Sequence, residues 1–389
     1  MQADKRYPHL DALRGLALWG IFIVNIVWFS FPSARFGELY GGGPNWYNDV
    51  INFVRVELFG GRTATVFALL FGLGMSMQWN KWQSSWLLIK RNLVLALFGI
   101  LHIVLLLGGD ILLDYALFGL VGVLLLRFNK KVLLGIAILL ALYPSALMVL
   151  RHFEIVGAAS SYKGMTLTVE EMVQLFQQGN FIDQCLYRIE QYQHIWKNPW
   201  VLSFYFPPVV ACYIMGLYLG QANFLQSLSN VGRYNLLLGI TLFLKVMLSI
   251  VNHLPIELFT YFKTTITFKV WMQWDQYITT LLFVSLVVVT IKSKIWKPFQ
   301  VLGKMSLTTY IGESILSSIL FYAFGFAQYN LLTPLQIQLY CLLFTLMLLT
   351  FNYFWELKVG QGPLEWVWRK LSYGKHFQKS TQNVTEKVV

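Results

Sequence analysis

The sequence predicts an all-α fold, a polytopic bundle of about ten membrane-spanning helices, and three observations carry that prediction. Of 389 residues, 57% are hydrophobic and only 12% are charged, against about 25% charged in soluble domains. The apolar residues gather in long runs, close to the ~20 residues that cross a bilayer core as a helix. Lysines and arginines fall in the gaps between those runs, where they set topology. A soluble core could not hide this much apolar surface, because burial grows too slowly with chain length. Lipid can.

The spans read near residues 10–32, 63–79, 92–108, 111–127, 132–150, 200–220, 234–252, 271–291, 305–326 and 335–356. One transmembrane domain therefore covers 1–373, and the polar composition of 374–389 predicts an unfolded tail. Leu16 to Phe31 is too long for a signal h-region and lacks a small-residue cleavage site, so it reads as the first span. With the N-terminus inside, twenty lysines and arginines lie on the cytoplasmic side and nine opposite, leaving Lys245 within a span. That excess predicts both termini on the cytoplasmic side of the membrane. The net charge of +12 is scattered over loops rather than gathered in a stripe, which argues against nucleic acid as a partner. The expected partners are the lipid bilayer and a small-molecule or lipid-linked substrate.

Three external segments stand out. Residues 33–61 hold Gly41-Gly42-Gly43-Pro44, a flexible loop before an amphipathic stretch. Residues 151–199 contain Thr168 and Glu171 at the spacing of a helix N-cap, and the pattern from Met172 to Tyr192 predicts a helix lying on the interface. Residues 253–270 are rich in Phe, Tyr and Thr. Gly72 and Gly74 read as small residues that let helices approach closely.

Ionisable residues inside spans are expensive and are functional candidates by default. Asp11 and Arg14 share one face of the first helix and can pair there, either as an interfacial anchor or as a ligand for phosphate or carboxylate. Asn25, further along that helix, either bonds across the bundle or lines a cavity. His102 lies on an otherwise apolar helix, and Asp110 follows across Gly108-Gly109, a turn that can fold the carboxylate back and set it near the membrane surface. A histidine oriented by a carboxylate is the usual arrangement of a general base. The alternative is a buried structural histidine. Asp114 and Tyr115 continue the cluster. Glu57 and Arg62 flank Gly60-Gly61, as a salt bridge or as the polar lining of an entrance. Lys245 and Glu313 lie within spans and are candidates to pair. Cys185, Cys212 and Cys341 show no metal or redox spacing, so no metal is expected. Walker, dinucleotide, HExxH and GxSxG motifs are absent, which argues against ATP-driven transport and zinc proteolysis.

Four blocks resemble the YeiB-like family of bacterial membrane proteins, whose C-terminal half is the domain of unknown function 418. They are His9-Leu-Asp-Ala-Leu-Arg-Gly-Leu-Ala-Leu-Trp-Gly-Ile21 with Asn25, Thr65 to Gly74, Gly99 to His102 leading to Asp110 and Tyr115, and Gly303 to Tyr310 followed by Gly362 to Arg369. The resemblance implies a distant branch of the membrane acyltransferases that modify sugars, including the type 3 acyltransferases and the lysosomal heparan acetyltransferase. Those enzymes carry an acyl group from acyl-CoA to a hydroxyl or amine. Their shared Asp-x-x-Arg-Gly is here Asp11, Arg14 and Gly15. The histidine of the type 3 enzymes is replaced by Asn25, and Ile26 to Trp46 holds no histidine in place of the heparan-type base. The expectation is therefore a membrane acyltransferase with acyl-CoA bound at Asp11 and Arg14, His102 as base and Asp110 orienting it. Asn25, Glu57, Arg62, Asp114, Tyr115 and Glu313 would line a polar cavity near the first four spans. The alternative is a non-catalytic transporter or flippase in which His102, Asp110 and Glu313 line the path.

Overall fold

Each long apolar run becomes a helix because lipid offers its backbone no hydrogen-bond partner, leaving the intrahelical ladder as the only way to satisfy N–H and C=O groups. The computed structural model describes residues 7–36, 46–156, 167–253 and 266–374, without the side chains of 226–227, 252–253 and 266–269. The Gly41–Pro44 loop, most of the 253–270 segment and the tail after Gly374 lie outside the described residues.

The first helix is α1 (Pro8–Ser30). Helix α2 (Trp46–Asn52) runs on into a π-helical stretch, Phe53–Phe59, and meets α3 (Arg62–Trp82) at Gly60-Gly61. Gly61 holds φ at +70°, which suits a residue without Cβ. Helix α4 (Ser85–Leu105) is capped by the Ser84 hydroxyl, α5 (Leu112–Leu125) returns, and α6 (Lys130–His152) is capped by Asn129. Two outer helices follow, α7 (Val169–Gln178) and α8 (Phe181–Lys197). Then come α9 (Phe206–Gln221), α10 (Val231–His253), α11 (Ile266–Thr290) and the short α12 (Trp296–Lys304). The last helices are α13 (Ser306–Phe321), α14 (Pro334–Val359) and α15 (Pro363–Tyr373). Thr333 and Gln336 form the capping box of α14, and Gly360 ends it at φ +75°.

All ten expected spans are helices. Among the described residues eight segments are long and apolar enough to cross a membrane, and the chain is an all-α polytopic membrane protein. The two shorter members are α5 and α13. The beginning and the end of the chain meet on one face: a Cβ at Gly303 would stand 1.9 Å from the Asp11 carbonyl oxygen, and Lys304 pairs with Glu356 at 2.6 Å. Helices α3 and α9 approach just as closely, since a Cβ at Gly72 would stand 2.0 Å from the Tyr213 carbonyl oxygen. That is the close packing that small residues allow.

The outer segment is two helices where the pattern predicted one. Thr168 and Glu171 do form a reciprocal capping box, but the helix breaks at Gly179-Asn180, where the Asn180 side chain caps α8. Met172, Phe176, Gln184, Cys185, Tyr187 and Arg188 are buried, so α7 and α8 each pack one face on the bundle, while Phe181, Ile182 and Leu186 stay exposed. Arg188 donates to the Val104 carbonyl at 3.2 Å and to Gln184 Oε1 at 3.2 Å, and its guanidinium sits 4.9 Å over the Tyr322 ring.

A buried ionic cluster joins α2, α3, α10 and α11. Lys245 Nζ donates to Asp275 Oδ1 at 2.6 Å and lies 3.9 Å from Glu57 Oε2. Arg62 binds Asp275 and approaches Glu57 Oε2 at 3.8 Å. Its Nη1 also donates to the Gly60 carbonyl at 3.0 Å, covering the wide turn that the π-helical stretch leaves. Lys245 therefore pairs with Asp275, and not with Glu313. Two cations and two carboxylates balance, the condition under which charges tolerate a low-dielectric interior.

Two stability outcomes are expected in purified protein. Gly72→Leu lowers the thermal midpoint, by the equivalent of at least about 1–3 kcal/mol of overpacking, whereas Gly135→Ala, with open space around it, keeps or raises the midpoint through helix propensity. Asp275→Ala strips the cluster of its main acceptor and costs about 3–5 kcal/mol, as removal of one partner from a buried pair does. Thermal unfolding monitored by tryptophan fluorescence checks both.

Candidate active site

Helix α5 is 14 residues long, about 21 Å at 1.5 Å per residue, too short to cross a ~30 Å core. Its N-terminal turn must therefore sit inside the protein. Asp110 makes that turn possible: its Oδ2 accepts from the Leu113 N–H at 3.0 Å, capping the helix start. Its Oδ1 accepts from the Tyr310 hydroxyl at 3.0 Å. Asp110 is 3% exposed, so the turn is buried within the protein. Tyr310 packs with Leu18 and Ile21, midway along α1, and α8 covers the turn from outside.

His102 stands between two partners. Its Nδ1 lies 3.0 Å from Asp110 Oδ1, off the line of a straight hydrogen bond, and its Nε2 lies 2.8 Å from Ser314 Oγ. The imidazole stacks on Tyr310 at 5.0 Å between centroids. Ser314 Oγ also reaches the Tyr310 carbonyl at 3.2 Å. The hydroxyl can thus turn between the histidine nitrogen and a backbone acceptor. Asp110 beside Nδ1 favours the tautomer with the proton there, which leaves Nε2 as the basic atom. The order carboxylate, imidazole, hydroxyl is that of a base-activated hydroxyl. His102 and Asp110 have no exposed side-chain surface, so the imidazole sits in a dry, polar niche.

The other candidate residues divide among separate places. Asp114 Oδ1 accepts from the Tyr192 hydroxyl at 2.9 Å, beneath α8. Burial first, and then the Asp114 carboxylate, push the Tyr192 phenol up. It stays protonated and serves as the donor. The Tyr115 hydroxyl donates to the Ala64 carbonyl at 2.8 Å, and its ring packs between Phe67 and Phe71. Glu57 and Arg62 belong to the ionic cluster, not to the histidine niche. Asn25 is half-buried on α1. Glu313 adjoins Ser314, is buried, and its Oε1 has no hydrogen-bond partner among the described residues. Asp11 and Arg14 pair at 3.1 Å, at the end of α1 that carries the N-terminus.

Sequence reasoning had no role for Ser314, Tyr310 or Asp275. Tyr310 and Ser314 share a helix face at four-residue spacing, a signal that becomes specific only once α13 is known to face α4. No group of three or more potential metal ligands occurs among the described residues.

Residues 219–375 match the family described as "Protein of unknown function (DUF418)". The chain is 25% identical to the uncharacterized protein YxaH of Bacillus subtilis (strain 168), over 95% of each protein. It is 25% identical to the uncharacterized protein YeiB of Escherichia coli (strain K12), over 95% of this chain and 96% of that one. An uncharacterized 39.9 kDa protein from the amylase 3' region of Bacillus acidopullulyticus is also 25% identical, over 96% of each. No solved structure matches the chain. The chain is thus similar to YxaH and YeiB over nearly its full length, and residues 219–375 match the DUF418 family.

Proposed function

We propose that this protein is an acyltransferase of the bacterial cytoplasmic membrane, moving an acyl group from acyl-CoA to a hydroxyl or amine. The observation that carries the reading is His102 held between Asp110 and Ser314 inside the bundle. When Ser314 turns to the Tyr310 carbonyl, Nε2 is left to an acceptor O–H. His102 takes that proton as the oxygen attacks the thioester carbon. The C–O bond forms, the C–S bond breaks, and the proton passes to the departing thiolate. Asp110 stabilises the transient imidazolium and holds the ring in register. Tyr310 and the Leu113 N–H hold Asp110 in turn.

Arg14, at the far end of the bundle, serves the anionic part of the donor. Arg91 on α4 acts electrostatically on the same region. It precedes His102 by eleven positions of one helix, about 16 Å at 1.5 Å per residue. The reading therefore requires a donor whose thioester lies at the end of a long flexible arm, a geometry acyl-CoA possesses.

One observation favours the runner-up, transport of a small amphipathic or lipid-linked molecule. Glu313 is a buried carboxyl on α13 whose Oε1 has no hydrogen-bond partner among the described residues, and buried carboxyls in membrane proteins serve proton relays.

Thiol release from acyl-CoA by purified protein in bilayer nanodiscs, supplied with bacterial envelope glycans as acceptors, tests the proposal. His102→Gln and Asp110→Asn are each expected to slow release by roughly 10²–10⁴-fold, the usual weight of acid–base catalysis. An unchanged rate in His102→Gln sinks the assignment of the base. Glu313→Gln separates the two readings: transfer predicts a rate within about tenfold of wild type, because one uninvolved buried group perturbs chemistry only indirectly. Abolished substrate uptake into vesicles with no acyl transfer in the wild type would favour transport.

A further inference from the structure

Arginines from α1, α4 and α15 act on one region beside α3, at the end of the bundle that carries the N-terminus. Arg91 projects from α4, with its guanidinium carbon 4.3 Å from the Trp368 ring centroid and 5.7 Å from that of Phe71. Its Nη1 points at Met75 Sδ, 3.6 Å away, a weak acceptor. The Trp368 indole donates to the Arg91 carbonyl at 2.9 Å and pins α15 to α4. Arg91 is 9% exposed, yet no carboxylate among the described residues pairs with it. Arg14 arrives from α1, its Nη2 3.9 Å from where a Gly74 Cβ would stand. The two guanidiniums thus reach consecutive residues of α3, Gly74 and Met75. Arg369 follows Trp368 on α15, is exposed, and with Arg14 adds positive charge to the field at Arg91.

Nearby carboxylates are already engaged. Asp11 takes Arg14 at 3.1 Å. Glu365 caps α13, accepting from Leu307 N at 2.7 Å, Thr308 N at 3.2 Å and Thr308 Oγ1 at 2.6 Å. Positive charge is therefore in excess here. A guanidinium buried against rings and a thioether is costly, and two like-charged neighbours raise that cost. An anion among the three offsets both, and planar guanidinium forks suit paired phosphate oxygens.

We propose that Arg14, Arg91 and Arg369 form a phosphate-binding site, with Arg91 as its buried floor, Trp368 as a wall and Gly74 leaving the space. The ligand is a phosphomonoester or pyrophosphate group, carried by a soluble nucleotide-like molecule or by an anionic lipid headgroup. The site deepens the donor end of the transfer reading and rests on that reading only for the soluble source.

Calorimetric titration of the full-length protein in zwitterionic nanodiscs with pyrophosphate tests the site. Saturable binding is expected, weakening with added salt and falling roughly tenfold or more in Arg91→Met and in the exposed Arg369→Gln, the weight of one charge-assisted hydrogen bond. Displacement of pyrophosphate by coenzyme A assigns the soluble source, while weakened pyrophosphate binding in nanodiscs containing phosphatidic acid assigns the lipid. His102→Gln should bind pyrophosphate as the wild type does. A protein that binds pyrophosphate but transfers no acyl group overturns the transfer reading and leaves this site standing. No pyrophosphate binding by folded wild type, or wild-type affinity in Arg369→Gln, overturns the site.

Discussion

A helical hairpin whose turn is buried must satisfy its own polar groups, and the α4–α5 hairpin does so through one carboxylate. Asp110 caps the start of α5, receives the Tyr310 hydroxyl, and stands against His102. Buried as they are, each of these groups would otherwise be stranded at a cost of kcal/mol apiece. The turn, the packing of α13 against α4 and the orientation of the imidazole are thus consequences of the same side chain. Helix α8 completes the arrangement by closing the turn from outside, with Arg188 on the Val104 carbonyl and Tyr192 on Asp114.

Two polar centres inside the bundle differ in kind. Among the described residues, the Glu57, Arg62, Lys245 and Asp275 cluster sets two cations against two carboxylates, each group held by an opposite one. Its effect is to tie four helices together. The His102 niche is poised instead, since Ser314 has two possible acceptors and Glu313 beside it has an oxygen with none among the described residues. A network whose members can exchange partners at little cost is suited to moving a proton. A balanced one is suited to staying still.

Much of this was legible in the chain. The ten runs became helices, because lipid rewards an unbroken apolar run and a helix alone satisfies its backbone. The Thr168–Glu171 capping box and the close approach at Gly72 were also readable, being local or encoded in residue size. His102 and Asp110 could be paired because only a Gly-Gly turn separates their elements. By contrast, the break at Gly179-Asn180 and the burial of α7 and α8 depended on what lay beneath them, which an amphipathic pattern does not specify.

What the sequence alone determined is the solvent of this protein and the course of its backbone, together with the local carboxylate–imidazole contact. Hydrophobic run length and cap chemistry act over a few residues and need no knowledge of the rest. Only the tertiary structure decided which partners complete each charge: Ser314 for His102 across 212 residues, Asp275 for Lys245 across 30, and Trp368 over Arg91. Such pairings depend on which faces of helices meet. In a chain whose spans are almost uniformly apolar, several helix arrangements bury the same hydrocarbon, and the rare polar residues select among them by finding one another.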